Sequence, residues 1–515
     1  MKKMLTNSRR ARHARLSVIL TLLVVTVTVL LNTVFGTLAN RYGWYSDMTA
    51  KGEYVVSEDC YRLLDSAFEA RRQMGEPAPI KVMFCAPEGE VRADAMLGYL
   101  YSTVASFAER YPRNILVECH DILTNPGVVK PYLTGKNPVT GEEAEAKIQT
   151  SSIVIASGEY HRVYALTEFF SFKGGDTSTV WAYNGEKKLT AGVMHAINPD
   201  KPVACLTENH GEVYYDYELM YLLDDAGYVI SHIDLQTEPI PENCDLLISY
   251  NPNSDLVEDG VSSANELSKI ESFLQESGNS FFVFMESGTP SLPNYEKFLG
   301  EWGVSFGYYE DIAANRSYRY TVQDAERSLT SDHCTIYGIP TATGRSAEIL
   351  AELNPNMIFQ NATALGAAQG FVNNGDGSYT KGKRAMYGLY ESSESATCWA
   401  NGEVRDGGGS MLMTLTEQTN PDGKSSVGVI ASARFCTEEF LQSAVYGNTD
   451  GIFRLLSAAG KVGTPEGLPI KPFHSLDISI VTTAELLFWA LTLSLIPFAL
   501  VTLLATVILI KRRNR

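Results

Sequence analysis

The chain has 515 residues, 45% of them apolar, 20% charged and 10% aromatic, and its 42 basic and 60 acidic residues give a formal charge of −18. That composition excludes a disordered chain, a collagen and a small disulfide scaffold, and at roughly 150 residues per domain it supplies about three domains' worth of chain. Lys2, Lys3, Arg9, Arg10, Arg12 and Arg15 at one tip and Lys511, Arg512, Arg513 and Arg515 at the other leave 32 basic and 60 acidic residues between them, and an acidic body argues against nucleic-acid binding, which needs a positive face.

The basic tip at 1–15 leads into 16–39, 24 residues without a charge. As a helix this stretch is about 36 Å long, enough to cross a hydrocarbon core of roughly 30 Å, and it is predicted to be a transmembrane span. A cleaved signal peptide, suggested by Thr37 and Ala39, is the weaker reading because a signal h-region has only about 7–15 residues.

Residues 50–200 alternate strand and helix signals. Apolar runs at 80–85 and 115–117 flank Met96, Leu100, Val104, Phe107 and Tyr111 at helical spacing, a βαβ-like unit. A hairpin is predicted at 153–165 and a helix at 186–197, with a boundary at Pro199. From 201 to 470 the layout is clearer. Strands at 203–206, 228–233, 246–250 and 281–285 alternate with helices lined by Leu219, Leu222 and Leu223 and by Leu267, Ile270 and Leu274. Repeated strand–helix–strand order predicts a parallel sheet covered on both faces. The fold class is therefore α/β: a flavodoxin-like or amidotransferase-like parallel sheet domain plus a smaller N-terminal α/β domain, flanked by two transmembrane helices.

Residues 308–425 break the pattern into short β-like runs between turn clusters and read as an irregular insertion; 427–431 restores a buried strand. The second span is predicted at 486–510, 25 residues without a charge, followed by the basic tail 511–515. Pro497 inside it is tolerated in a membrane helix. Basic flanks at both ends put both termini in the cytoplasm and the main body outside, in a two-span plasma-membrane protein. Tyr42, Trp44 and Tyr45 after the first span and Phe488 and Trp489 opening the second place aromatic rings at the same outer interface.

The eight cysteines contain no CxxC pair, and Cys85, Cys119, Cys205 and Cys244 read as buried free thiols. Glu208, His210 and Glu212 lie where the first strand of the larger domain ends, the edge where such sheets bind ligands, and are the candidate ligand-binding residues. A histidine between two carboxylates suits acid–base work or a metal. The competing reading is a polar loop that caps the next helix. A metal needs further ligands that the sequence does not nominate, so no metal, cofactor or catalytic residue is expected. Cys205 lacks the flanking glycines of a nucleophile elbow. The segment 377–383 imitates a phosphate loop but has Arg384 where Ser or Thr belongs. Asn251, Asn253, Asp255 and Asp259 offer calcium-type oxygens, with Leu256 where an EF-hand loop needs glycine.

The order of segments resembles the auxiliary subunits of gliding-motility-type ABC transporters, the GldG-like family. The resemblance rests on the basic tip and span, Thr150-Ser151-Ser152-Ile153-Val154-Ile155, Gly158-Glu159-Tyr160-His161-Arg162-Val163, Glu186-Lys187-Lys188-Leu189-Thr190-Ala191, Leu206-Thr207-Glu208-Asn209-His210-Gly211-Glu212, Asp245-Leu246-Leu247-Ile248, and the closing span with its basic tail. Family members commonly have glycine where this chain has Asn209. The resemblance implies a membrane-anchored, non-ATPase auxiliary subunit of an ABC-type transport system, partnered by an ABC permease and, through it, a cytoplasmic ABC ATPase. The alternative is a membrane-anchored extracytoplasmic enzyme or ligand-binding protein using the loop around His210.

Overall fold

The computed structural model describes residues 55–73, 78–158, 160–172, 179–198, 201–257, 265–351, 353–443, 445–460, 463–468 and 470–473, with isolated positions between 23 and 34 and at 510. Both predicted spans otherwise lie outside the described residues. Among the described residues no helix is long and apolar enough to cross a membrane.

The chain is mixed α/β, with parallel and antiparallel pairing. Helix α1 (Glu58–Gln73) precedes strand β1 (Ile80–Phe84). Asp94 accepts the N–H groups of Met96 and Leu97 at 2.9 and 2.8 Å and so caps helix α2 (Ala95–Arg110). The heptad-like spacing of Leu97, Leu100, Val104 and Phe107 turns one face of α2 inward. Strand β2 (Ile115–Cys119) then pairs parallel with β1. A short hairpin, β3 (Thr134–Lys136) with β4 (Glu143–Glu145), projects from this unit. Strands β5 (Ile153–Ser157) and β6 (Tyr160–Tyr164) form the expected hairpin, with Ile153 opposite Tyr164, and add antiparallel to β1. Strands β7 (Phe170–Phe172) and β8 (Val180–Tyr183) lead to helix α3 (Gly185–Ile197), whose Glu186, Lys187, Thr190 and His195 are buried beside its apolar residues. A helix buried on several sides is one packed between layers.

Beyond Pro199 come β9 (Val203–Thr207), α4 (Glu218–Asp225), β10 (Val229–Ile233), β11 (Cys244–Tyr250), α5 (Glu266–Phe273), β12 (Ser280–Phe284) and α6 (Pro293–Glu301). All five residues of β12 are buried, as a central strand with helices on both faces requires. The stretch predicted to be irregular supplies regular strands to the same sheet: β13 (Ser378–Lys381), β14 (Arg384–Glu391) and β15 (Met411–Asn420) precede β16 (Gly423–Ile430). The main path of this twelve-stranded sheet runs β10-β9-β11-β12-β16-β15-β14-β13 and ends at Val372–Asn373, paired with β13. Its first five strands are parallel and its remainder antiparallel.

After helix α7 (Asn448–Ala459) the chain returns to the N-terminal unit, where Lys471–Pro472 pairs with β8. Lys471 Nζ donates to the carbonyl of Val55 at 2.6 Å and ion-pairs with Glu186. The two ends of the described body therefore leave it side by side.

Two further contacts join the halves. His232 Nε2 on β10 lies 2.9 Å from the carbonyl of Val139 at the β3–β4 hairpin. There Gly141, at φ +70°, packs so closely that a Cβ would lie 1.9 Å from the Ile230 carbonyl oxygen. On the other side Arg162 of β6 pairs with Asp224 and, at 3.9 Å, with Asp225 of α4, while Lys188 of α3 meets Asp225 at 2.5 Å.

Candidate functional site

In the parallel part of the sheet the strand order reverses between β9 and β11, so their following loops leave in opposite directions and open a crevice at the carboxyl ends. Residues 208–212 follow β9 directly. Asn209 and Gly211 both take left-handed backbone, at φ +71° and +69°, a conformation glycine adopts freely and asparagine better than other side-chain-bearing residues. Asparagine at 209 therefore suits this turn.

This double reversal turns His210 inward, where it is fully buried. Its carbonyl accepts the N–H groups of Asn253 and Ser254 at 2.8 and 2.7 Å, and Asn253 Nδ2 donates to the Gly211 carbonyl at 2.9 Å. The loops after β9 and β11 are thereby stitched together across the crevice. Glu212 serves the same loop, accepting from the His210 N–H at 2.9 Å and from Thr207 Oγ1 at 3.0 Å.

The imidazole is held between acceptors. Nδ1 lies 3.1 Å from the Glu208 carbonyl and 3.5 Å from Glu212 Oε1, and Nε2 lies 2.9 Å from Glu266 Oε1. Glu266 is fully buried at the first turn of α5, and its other oxygen accepts the Val257 N–H at 2.7 Å. Burial alone would favour the neutral ring. The adjacent carboxylates of Glu212 and Glu266 outweigh it and raise the His210 pKa to about 10, which favours the imidazolium.

Of the three residues nominated from sequence, the fold brings His210 and Glu212 together and sends the Glu208 carboxylate elsewhere, to His232 Nδ1 at 2.8 Å on the edge strand β10. Sequence reasoning missed Glu266, 56 positions after His210. Its local signal, an acid in the first turn of a helix capped by Asn265, belongs to many helices. It missed also Tyr295, whose ring meets the imidazole edge-on at 6.4 Å while its hydroxyl bonds Ser249 Oγ at 2.8 Å. Among the described residues no three His, Cys, Asp or Glu side chains converge on a common metal position. The chemistry of the cluster is that of a buried ion-pair lock: both ring nitrogens face acceptors, and neither faces solvent.

The other motifs take structural places. Cys205 lies in the middle of β9, fully buried opposite Leu247. Asp255 caps α6, accepting from Asn294 N and Tyr295 N at 2.8 and 3.0 Å. The phosphate-loop-like segment is the β13–β14 turn, with Lys381 opposite Arg384.

A second polar group sits at the same sheet edge. Glu286, just past β12, accepts from the Tyr215 hydroxyl and lies 3.8 Å from Arg434, whose guanidinium stacks on the Tyr215 ring at 3.8 Å.

No family model and no curated protein matches the chain. Among solved structures it is similar to "Structure of PurLQS from Thermotoga maritima" at 12% identity, over 50% of this chain and 99% of that one, with a TM-score of 0.25, too low to relate the two folds.

Proposed function

We propose that the chain is a membrane-anchored, non-ATPase auxiliary subunit of an ABC-type transport system, with an α/β body on the extracytoplasmic side that serves interaction or sensing. The observation that carries this reading is the 2.6 Å contact between Lys471 Nζ and the Val55 carbonyl. Val55 and Lys471, from which the chain runs on toward the two apolar stretches, lie together, as suits two spans entering one membrane. Leu23, Val27, Leu30 and Val34, helical and spaced to share one face, all expose their side chains, which suits a lipid or helix partner.

The larger domain supports an interaction role over catalysis. Its parallel strands follow the order 2-1-3-4-5 of flavodoxin-like domains, and the crevice where such domains bind ligands is filled here by the loop of His210. An enzyme or ligand-binding protein working through His210 has less support, because that imidazole has no solvent contact. The partners would be a multispan permease and, through it, a cytoplasmic ATPase. The test is co-purification in detergent from cells expressing the surrounding operon. Recovery with a multispan permease is expected, and recovery only as a free monomer would count against the reading.

A further inference from the structure

Between the hairpin clasp at β10 and the ion pairs of α4 lies a cavity of about 1510 Å³. It exceeds the roughly 300–1000 Å³ of most small-molecule pockets and sits between two packed units, a favoured place for such sites. The basic side chains buried in its wall are answered by carboxylates. Arg162 answers Asp224, Asp225 and, at 3.6 Å, Glu168; Lys188 answers Asp225; Lys187 answers Asp450 at 2.8 Å. Burial pushes the Glu218 carboxyl above the usual carboxylate range. On the hairpin, Lys136, opposite Glu143, and Lys147 are exposed to solvent.

Lys201 is different. Its ammonium donates to the carbonyl of His195 and lies 4.2 Å above the ring of Tyr160. Both partners are uncharged, and among the described residues no carboxylate comes within ion-pair reach of it. A lysine half-buried in a cleft wall, fixed by a carbonyl and a π face, keeps its positive charge uncancelled while losing much of its water. Burial accordingly lowers its pKa to about 8, with Asp224 the one nearby charge acting in the opposite direction. An oxyanion arriving at this point would gain a charge-assisted hydrogen bond and restore the missing counter-charge.

We propose that the cleft binds a small solute bearing a carboxylate or phosphate group, with Lys201 receiving the oxyanion. This goes beyond the transport reading and does not depend on it, since the cleft belongs to the body and not to the anchor.

The test is calorimetric titration of the purified full chain with inorganic phosphate and with succinate, using 1,4-butanediol as the uncharged control. Binding of at least one anion and not of the diol is expected, and which anion binds separates a phosphoryl from a carboxyl ligand. Lys201→Met should weaken that binding about tenfold or more, and Lys201→Arg should keep it within about threefold, as loss and retention of one charge-assisted hydrogen bond require. Should Lys201→Met fold poorly, the wild-type chain supplies the second measurement: the bound anion should slow acetylation of Lys201 by an activated ester, read by mass spectrometry, and leave the exposed Lys81 unaffected. No binding of either anion up to about 10 mM, a concentration at which even a site with a Kd of about 1 mM fills, would overturn the proposal. So would equal binding by a well-folded Lys201→Met protein, or unchanged acetylation of Lys201 in the presence of a bound anion.

Discussion

The Nε2 atom of His210 lies 2.9 Å from Glu266 Oε1, and neither side chain is reached by solvent. This pair ties the loop after β9 to the first turn of α5 and closes the crevice at the carboxyl edge of the sheet. Breaking one half of a buried ion pair leaves the other half charged, desolvated and unanswered. The first two predictions follow from that asymmetry.

His210→Ala should lower the stability of the larger domain by about 3–5 kcal/mol, the usual penalty for stranding a buried charge. A second change, Glu266→Gln, should recover part of the loss by removing the stranded carboxylate. Urea unfolding of the purified chain followed by tryptophan fluorescence measures this, because Trp302 is buried in the same domain. A fully stable His210→Ala protein that has lost function would instead favour a ligand site at this loop.

The pH dependence has a definite sign. A histidine that titrates near 10 when folded and near 6.5 when unfolded binds an extra proton in the native state between those values. Its stabilisation is complete below about pH 6.5 and is lost as pH rises through 10. The urea midpoint of the larger domain should therefore fall between pH 6.5 and 9.5, and His210→Ala should flatten that fall. An equally steep decline in the mutant would show that other groups govern it.

Gly141→Ala should release the clasp between the hairpin and β10. The added methyl would meet the Ile230 carbonyl oxygen at 1.9 Å on backbone already at φ +70°, whereas a Cβ at Gly158, at φ +60°, meets nothing within 4 Å. Gly158→Ala should lose only about 1 kcal/mol from backbone strain. Trypsin should cut at Lys136 and Lys147 faster in Gly141→Ala than in either the wild type or Gly158→Ala.

Tags fused at Met1 and Arg515 should survive protease added outside intact cells, while the body between them is digested. This follows from the proposed topology, in which the basic residues at both tips lie on the cytoplasmic side. Loss of either tag would reverse the orientation proposed for that end.

Some of this protein is written locally. The period of Leu97, Leu100, Val104 and Phe107 marks α2, and the apolar run of β12 marks a buried strand; both elements form where those signals lie. The β5–β6 hairpin is likewise announced by its turn at Ser157 and Gly158. These signals are readable because each element carries its own pattern of apolar and turn residues within a dozen positions.

Strand β15 carries no such pattern. Thr414, Thr416, Glu417, Gln418 and Asn420 are all buried in it, and alternation of apolar and polar residues fails. They are tolerated because distant groups answer them: Thr416 Oγ1 donates to the Trp302 carbonyl at 2.7 Å, Glu417 meets Lys424 and, at 3.6 Å, Arg345, and Gln418 accepts from Arg384 at 2.8 Å. The His210 site is similar. The sequence by itself places a histidine between two acids at a strand end, with charged tips and two apolar stretches around a large α/β body. Only the tertiary structure decides that Glu208 turns to His232, that Glu266 takes its place, and that the crevice closes. The physical reason is that a side chain's period is set by its neighbours in the chain, whereas the partner that makes a buried charge or amide bearable is chosen by strands and loops that meet only when the whole sheet has formed.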